Sequence, residues 1–206
     1  VGDNLQQSLE YLFVIIMPIM VMCFVGGDLI VGVLYGRGSF STEAISRTNG
    51  VVIGYAAGFF FQAARATIVK VYYAFQDTKT PMINGAISVG VNVVLSITLS
   101  KFLGVTGIAL ATSISMLVVT ALLLPGVKKY TPSFSMKSSI TDGLKILLAS
   151  GIVWLTAALI KTTLQGDIYL QFVIMGTYIV LAYAALIMLL RVKCINRIIK
   201  RFKGAR

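Results

Sequence analysis

Residues 11–40 read YLFVIIMPIMVMCFVGGDLIVGVLYGRGSF, and this stretch decides the class of fold. From Tyr11 to Val33 the only charged side chain is Asp28. A hydrocarbon layer ~30 Å thick takes about 20 apolar residues to cross as a helix, and the run is long enough. Pro18 and the pair Gly26-Gly27 loosen the backbone ladder and predict kinks. Lipid tolerates a kink only where neighbouring helices or local adjustment re-satisfy the freed carbonyls.

Working outward, six apolar runs of this kind can be drawn, at roughly 9–35, 48–75, 82–100, 103–125, 140–160 and 168–190. The chain is 57% hydrophobic and 12% charged, with a mean hydropathy of +0.90. A soluble domain has about 45–50% apolar residues. The expected fold is an all-α integral membrane bundle of six transmembrane helices with both ends on one side. Orientation follows from Lys and Arg placement. With cytoplasmic termini, 13 of the 18 basic residues fall on the cytoplasmic side, including Lys79, Lys128, Lys129, Lys137 and the tail from Arg191. The opposite side keeps Arg37, Arg47, Lys101 and Lys161, and Arg65 is left inside the membrane.

A net charge of +11 raises nucleic acid as a partner. Nucleic-acid binders carry their charge on a soluble module, whereas here it sits at helix ends and in a tail, so no nucleic-acid partner is expected. The tail 191–206, RVKCINRIIKRFKGAR, alternates basic and apolar residues as an amphipathic helix on the cytoplasmic leaflet does, which makes anionic lipid its expected partner. Cys23 and Cys194 form no disulfide or metal-ligand pattern. The chain starts at Val1 with nothing that reads as a signal peptide, and we expect a fragment of a longer protein.

Within the second run, positions 55, 58, 62, 65, 69, 72 and 76 follow helical spacing and predict one stripe, carrying Tyr55, Gln62 and Arg65. That stripe is too polar to face lipid. In the third run Asn84, Ser88, Asn92, Ser96 and Ser100 recur every four residues and predict a continuous polar face. Gly107, Ala111 and Ser115 bring small-xxx-small spacing to the fourth, which lets backbones approach closely. Ser41 with Glu43 reads as a helix start, and the Ser-, Pro- and Lys-rich stretch 128–139 as a boundary between sub-bundles. Tyr169, Tyr178 and Tyr183 are placed to anchor at membrane interfaces.

Histidine is absent, and no phosphate loop, nucleophile elbow or Cys/His cluster occurs, so the chain is not expected to be an enzyme. Arg65 lies 11 residues before Gln76, about 16 Å along a helix. An intramembrane charge costs at least ~2.5–3.5 kcal/mol and faces a cavity or a partner. Arg65 therefore either meets an anionic substrate or is capped by backbone carbonyls at a helix kink or by an acid on a helix outside this fragment. Asn92, Ser96 and Thr112 are either oxygen ligands for a small cation or interhelical hydrogen-bonding glue. Asp28 is within reach of Arg37 or Arg47, and a solvated interface charge is the simpler expectation.

Between the second and third runs stands YYAFQDTKTP, residues 72–81. Asp77 or Thr80 can cap the following helix, Pro81 suits its first turn, and Lys79 holds the hairpin inside. Together with LYGRGSFS at 34–41, SVGVNVVLSI at 88–97 and LGVTGIALATS at 103–113, this motif resembles the MurJ/MviN family of lipid II flippases. That family belongs to the multidrug/oligosaccharidyl-lipid/polysaccharide transporter superfamily. The resemblance implies the C-terminal part of a two-lobe transporter of roughly fourteen helices in the bacterial cytoplasmic membrane. Residues 1–127 would be four helices of the second lobe, 128–139 a cytoplasmic linker, 140–190 the C-terminal helix pair and 191–206 the tail. The missing N-terminal lobe and an undecaprenyl-pyrophosphate-linked glycolipid are the implied partners. The arginines that line the family's cavity would lie in the missing lobe, so the substrate-cavity candidates here are those of the polar stripe, Arg65, Gln62 and Tyr55, with Asp77, Thr78, Lys79, Thr80 and Pro81 as a structural motif. A sodium site is implied at Asn92, Ser96, the carbonyl of Ile108 and Thr112. An exporter of another polysaccharide-lipid or small molecule, and a non-transporting membrane scaffold, are the alternatives.

Overall fold

A computed structural model describes residues 2–37, 41–131, 137–190 and 192. Seven helices follow in order: α1 Gly2–Tyr35, α2 Thr42–Ala56, α3 Phe59–Ala74, α4 Lys79–Leu103, α5 Val105–Tyr130, α6 Lys137–Thr163 and α7 Ile168–Leu189. Because α2 and α3 together make one span, the described residues hold six helical spans long and apolar enough to cross a membrane. The second expected span is thus bent rather than continuous. The linker expected at 128–139 is shorter, since α5 runs through Lys128–Tyr130 and α6 starts at Lys137. Pro125 does not end α5, so the helix carries its Lys128 and Lys129 beyond the apolar segment. The expected amphipathic tail falls outside the described residues, apart from the buried Val192.

The helices join two apolar cores. One gathers Met17, Val21, Val25 and Leu29 of α1 with Ile146, Ala149 and Val153 of α6 and Met175, Ile179 and Tyr183 of α7. The other gathers Leu5 of α1 with Ile68, Val71 and Tyr72 of α3 and Val119, Leu123 and Val127 of α5. The first helix therefore packs with the last two as well as with its sequence neighbours. A sequence division into four helices followed by a pair does not describe this packing.

Both breaks in α1 are repaired by side chains of other helices. Pro18 has no N–H for the Val14 carbonyl four residues before it, and the Tyr183 hydroxyl donates to that carbonyl at 2.9 Å. Tyr183 is thus a buried interhelical donor and not an interface anchor. At Gly26 the backbone leaves helical geometry, with φ −110° and ψ 17°, and Lys161 Nζ donates to the adjacent Val25 carbonyl at 2.7 Å. The same ammonium pairs with Asp28 Oδ1 at 2.6 Å. Asp28 is therefore neither a lone interface charge nor a partner of Arg37 or Arg47. Arg47 pairs with Glu43 at 2.7 Å, and Arg37 Nη2 donates to the Tyr169 hydroxyl at 3.4 Å.

Helix α5 is the axle of the remaining bundle, lying against α2, α3 and α4, while α3 and α4 barely touch each other. Hydrocarbon removes the hydrophobic drive for helices to associate, so close van der Waals fit must hold them together. One face of α5 supplies the buried Gly107, Ala111 and Ser115 to α4. Their connection is the single residue Gly104, at φ +58° and ψ −136°, a conformation essentially reserved for glycine. A second small face, Ala109 and Ser113, receives Gly54 and Gly58.

Candidate functional site

The bend between α2 and α3 arises from a competition for one carbonyl. In an unbroken helix Gly58 N–H would bond the Gly54 carbonyl. Here the Ser113 hydroxyl of α5 takes that carbonyl at 2.6 Å, with Tyr55 O as a second, longer acceptor at 3.3 Å, and Gly58 N–H bonds Tyr55 O at 2.9 Å. Further along, the Thr120 hydroxyl donates to Phe61 O at 3.0 Å. The expected stripe is not uniform in exposure. Tyr55 and Gln62 stay exposed, whereas Gly58 and Tyr72 are buried against α5. Ser113 and Thr120 escaped the sequence reading, because a hydroxyl aimed at another helix's backbone leaves no mark in its own periodicity.

Arg65 lies beyond the bend on α3, half-buried, with its guanidinium reaching toward α4, where a Cβ on Gly85 would stand 3.7 Å from Nη2. Its Nε is buried and has no hydrogen-bond partner among the described residues. No described carboxylate forms an ion pair with it either. Carbonyl capping is not supplied within the described bundle, and the acid expected from a helix outside this fragment lies beyond it.

The polar column of α4 runs along its interface with α5. Ser88 Oγ donates to Ser115 O at 3.1 Å, and Asn92 Nδ2 donates to Thr112 Oγ1 at 3.2 Å. Thr112 Oγ1 in turn donates to the Ile108 carbonyl at 3.1 Å. In this antiparallel register Ser96, one turn past Asn92, comes level with Ile108, one turn before Thr112. Ser96 Oγ is buried and has no hydrogen-bond partner among the described residues. Four neutral oxygen-bearing groups thus fall within one turn of each other along the α4–α5 interface, one of them unsatisfied among the described residues.

The 72–81 motif closes the α3–α4 hairpin and ties it to the end of α5. Gln76 adopts a left-handed φ of 59°, Asp77 N–H reaches Tyr72 O at 3.0 Å and Gln76 N–H reaches Tyr73 O at 3.0 Å, which together form a Schellman termination. Asp77 is the cap of α4, its Oδ1 accepting from Thr80 N–H at 3.0 Å. Neither Thr78 nor Thr80 supplies a capping side chain, Lys79 opens the helix and Pro81 is buried in its first turn. Asp77 Oδ2 accepts from the Tyr130 hydroxyl at 2.9 Å, and Phe75 stacks on the Tyr130 ring at 5.0 Å.

Hydrogen bonds from the Thr80 backbone and side chain, and from Tyr130, hold the Asp77 carboxyl below the usual carboxylate range. A carboxyl depressed on folding contributes stability above its unfolded pKa, about 3.9, and loses it as pH falls through the folded value. Asp77→Asn is therefore expected to melt below wild type at neutral pH, with the gap closing in thermal scans below about pH 4.

The family model described as "Lipid II flippase MurJ" matches residues 1–188. The chain belongs to the MurJ family. A Thermotoga maritima protein named probable lipid II flippase MurJ is 26% identical over 200 residues, 97% of this chain and 40% of its own length. The lipid II flippase MurJ of Thermosipho africanus is 29% identical over 153 residues, 74% of this chain and 31% of its own length. A solved MurJ structure, described as a lipid II flippase in an inward closed conformation, superposes with a TM-score of 0.77 at 29% identity. That alignment covers 90% of this chain and 38% of the other. The chain thus spans about 40% of the length of the first of these MurJ relatives and matches their C-terminal portion. It is a multi-pass membrane protein.

Proposed function

We propose that this chain forms the C-terminal part of a transporter that flips lipid II, the lipid-linked peptidoglycan precursor, across the bacterial cytoplasmic membrane. The observation that carries the reading is Arg65. A MurJ-family bundle holds, within a membrane span, a half-buried guanidinium with no partner among the described residues, on the same span as the exposed Gln62 and Tyr55. Such a charge is too costly to keep without a polar cavity or partner, and a pyrophosphate headgroup is the anion it would meet. Two lobes rocking about a midplane cavity would expose that headgroup to each side in turn. The isoprenoid tail stays in lipid.

Cytoplasmic termini are supported by charge at the bundle's two ends. The Asp77–Tyr130 bond places Lys79, Lys128 and Lys129 at one end. Arg37, meeting Tyr169, and Lys161, paired with Asp28, stand at the other. Arg47 and Lys101 add to the second end, so the excess of basic residues that would make the first end cytoplasmic comes from the seven in 191–206, which follow α7; that basic tail would rest on anionic headgroups there.

In a bacterium depleted of its own flippase, the full-length parent is expected to restore growth and its Arg65→Ala variant to fail. Full complementation by Arg65→Ala would remove Arg65 from the mechanism. Failure of the unmutated parent would count against lipid II as substrate.

Asn92, Ser96, Thr112 and the Ile108 carbonyl also suit a monovalent cation. The donors are neutral oxygens, and the buried Ser96 hydroxyl lacks a partner among the described residues. A divalent ion would call for carboxylates, which none of these residues supplies. Bound there, sodium would hold α4 and α5 in one register. Sodium is expected to raise the melting temperature of the full-length parent relative to potassium, and Asn92→Ala with Thr112→Ala to abolish the difference. A sodium effect that survives both changes would rule the site out.

A further inference from the structure

We propose that Lys161 is a latch that sets the bend of α1. The helix leaves regular geometry at Gly26. Lys161 of α6 bonds the residue immediately before that point and the residue two places after it, through the Val25 carbonyl at 2.7 Å and Asp28 Oδ1 at 2.6 Å. An ammonium carries three donors, so one group makes both bonds at once. Each is short and charge-assisted, the stronger kind of hydrogen bond. The two sides of the kink are thereby held at a fixed angle by a side chain from another helix.

Gly26 by itself loosens the ladder but does not choose an angle, and Asp28 lies on the same helix as the kink. The element that chooses is α6. Among the described helices, α1 is the one with extensive packing against both α2–α3 and the α6–α7 pair. A change in its bend therefore shifts the pair relative to the rest of the bundle. Without Lys161 the carbonyl of the buried Val25 would lose this donor, and the nearest N–H able to replace it belongs to its own helix. That route straightens α1. The pair thus imposes the bend on α1, and the bend is lost when the latch opens.

The test places nitroxide labels at Ile15 and Leu34, which are 61% and 63% exposed on either side of the kink. The protein is the full-length parent in nanodiscs, in a cysteine-free background, read by pulsed electron–electron spin resonance. Lys161→Met is expected to lengthen and broaden the distance distribution toward the ~28 Å backbone separation of a straight helix. An unchanged distribution would overturn the proposal. The exchange of Asp28→Lys with Lys161→Asp restores opposite charges but removes the donor to Val25. It is expected to melt like wild type while keeping the lengthened distance. A wild-type distance in the exchanged protein would overturn the proposal, and it decides alone if Lys161→Met does not fold.

Discussion

Gly58→Val is expected to destabilise the bundle by about 3 kcal/mol, read as a lowered melting temperature of the purified protein in detergent. A Cβ at this position would stand 2.5 Å from Ser113 Oγ and 2.7 Å from Ser113 Cα. The second contact is backbone, so no rotamer change relieves it. Helices α2 and α5 must separate, and separation also costs the Ser113 bond to the Gly54 carbonyl. Ser113→Ala isolates the second effect and is expected to cost about 1 kcal/mol, the typical net worth of such a bond. It frees the Gly54 carbonyl for Gly58 N–H, so amide exchange at Gly58 should slow as α2 and α3 become one helix. Unslowed exchange would show that the bend does not depend on Ser113. Since Arg65 lies two turns beyond the bend, the same variant tests whether that bend aims the guanidinium.

The second large effect is at Tyr72. The ring is 1% exposed, its hydroxyl donates to Leu123 O at 2.6 Å, and its edge meets Tyr130 at 5.6 Å. Tyr72→Ala is expected to cost about 3–5 kcal/mol, as truncations of large buried aromatics do. Tyr72→Phe should cost about 1–2 kcal/mol, because Leu123 O loses its donor. The hydroxyl occupies the space that a side chain at Gly126 would fill, and a Cβ there would collide with it. Gly126→Ala alone is therefore expected to destabilise, and Tyr72→Phe with Gly126→Ala to recover much of the loss. In the double variant the nearest ring atom is Cζ, 3.3 Å from the new methyl. Strict additivity in that cycle would show that the two positions do not touch.

These positions mark the limit of what the chain discloses in one dimension. The apolar runs, the cap at Ser41 and Asp77 as one of two candidate caps of α4 were readable. Each rests on local chemistry or a fixed helical period. The linker boundary was read too wide, because apolarity ends before helicity does and Lys128–Tyr130 continue α5. Tyr183 was misplaced at an interface, since a tyrosine that repairs a proline break has the same sequence signature as one that anchors in headgroups.

Of the candidate site, the sequence placed Arg65 within a span and Asn92, Ser96 and Thr112 on helical faces. It did not disclose that Arg65 lacks a partner among the described residues, or that Ser96 Oγ is buried and unsatisfied. Those are facts about neighbours, and the neighbours come from other helices.

What the sequence by itself determined is the number of spans, their approximate ends and the family, because hydrocarbon thickness and turn chemistry act on contiguous residues. The tertiary structure alone decided which helices share a core, where α1 and the α2–α3 span bend, and which donors satisfy the carbonyls those bends release. Backbone groups in lipid must be satisfied within the protein, and Ser113, Lys161 and Tyr183 do so from 59, 136 and 169 residues away.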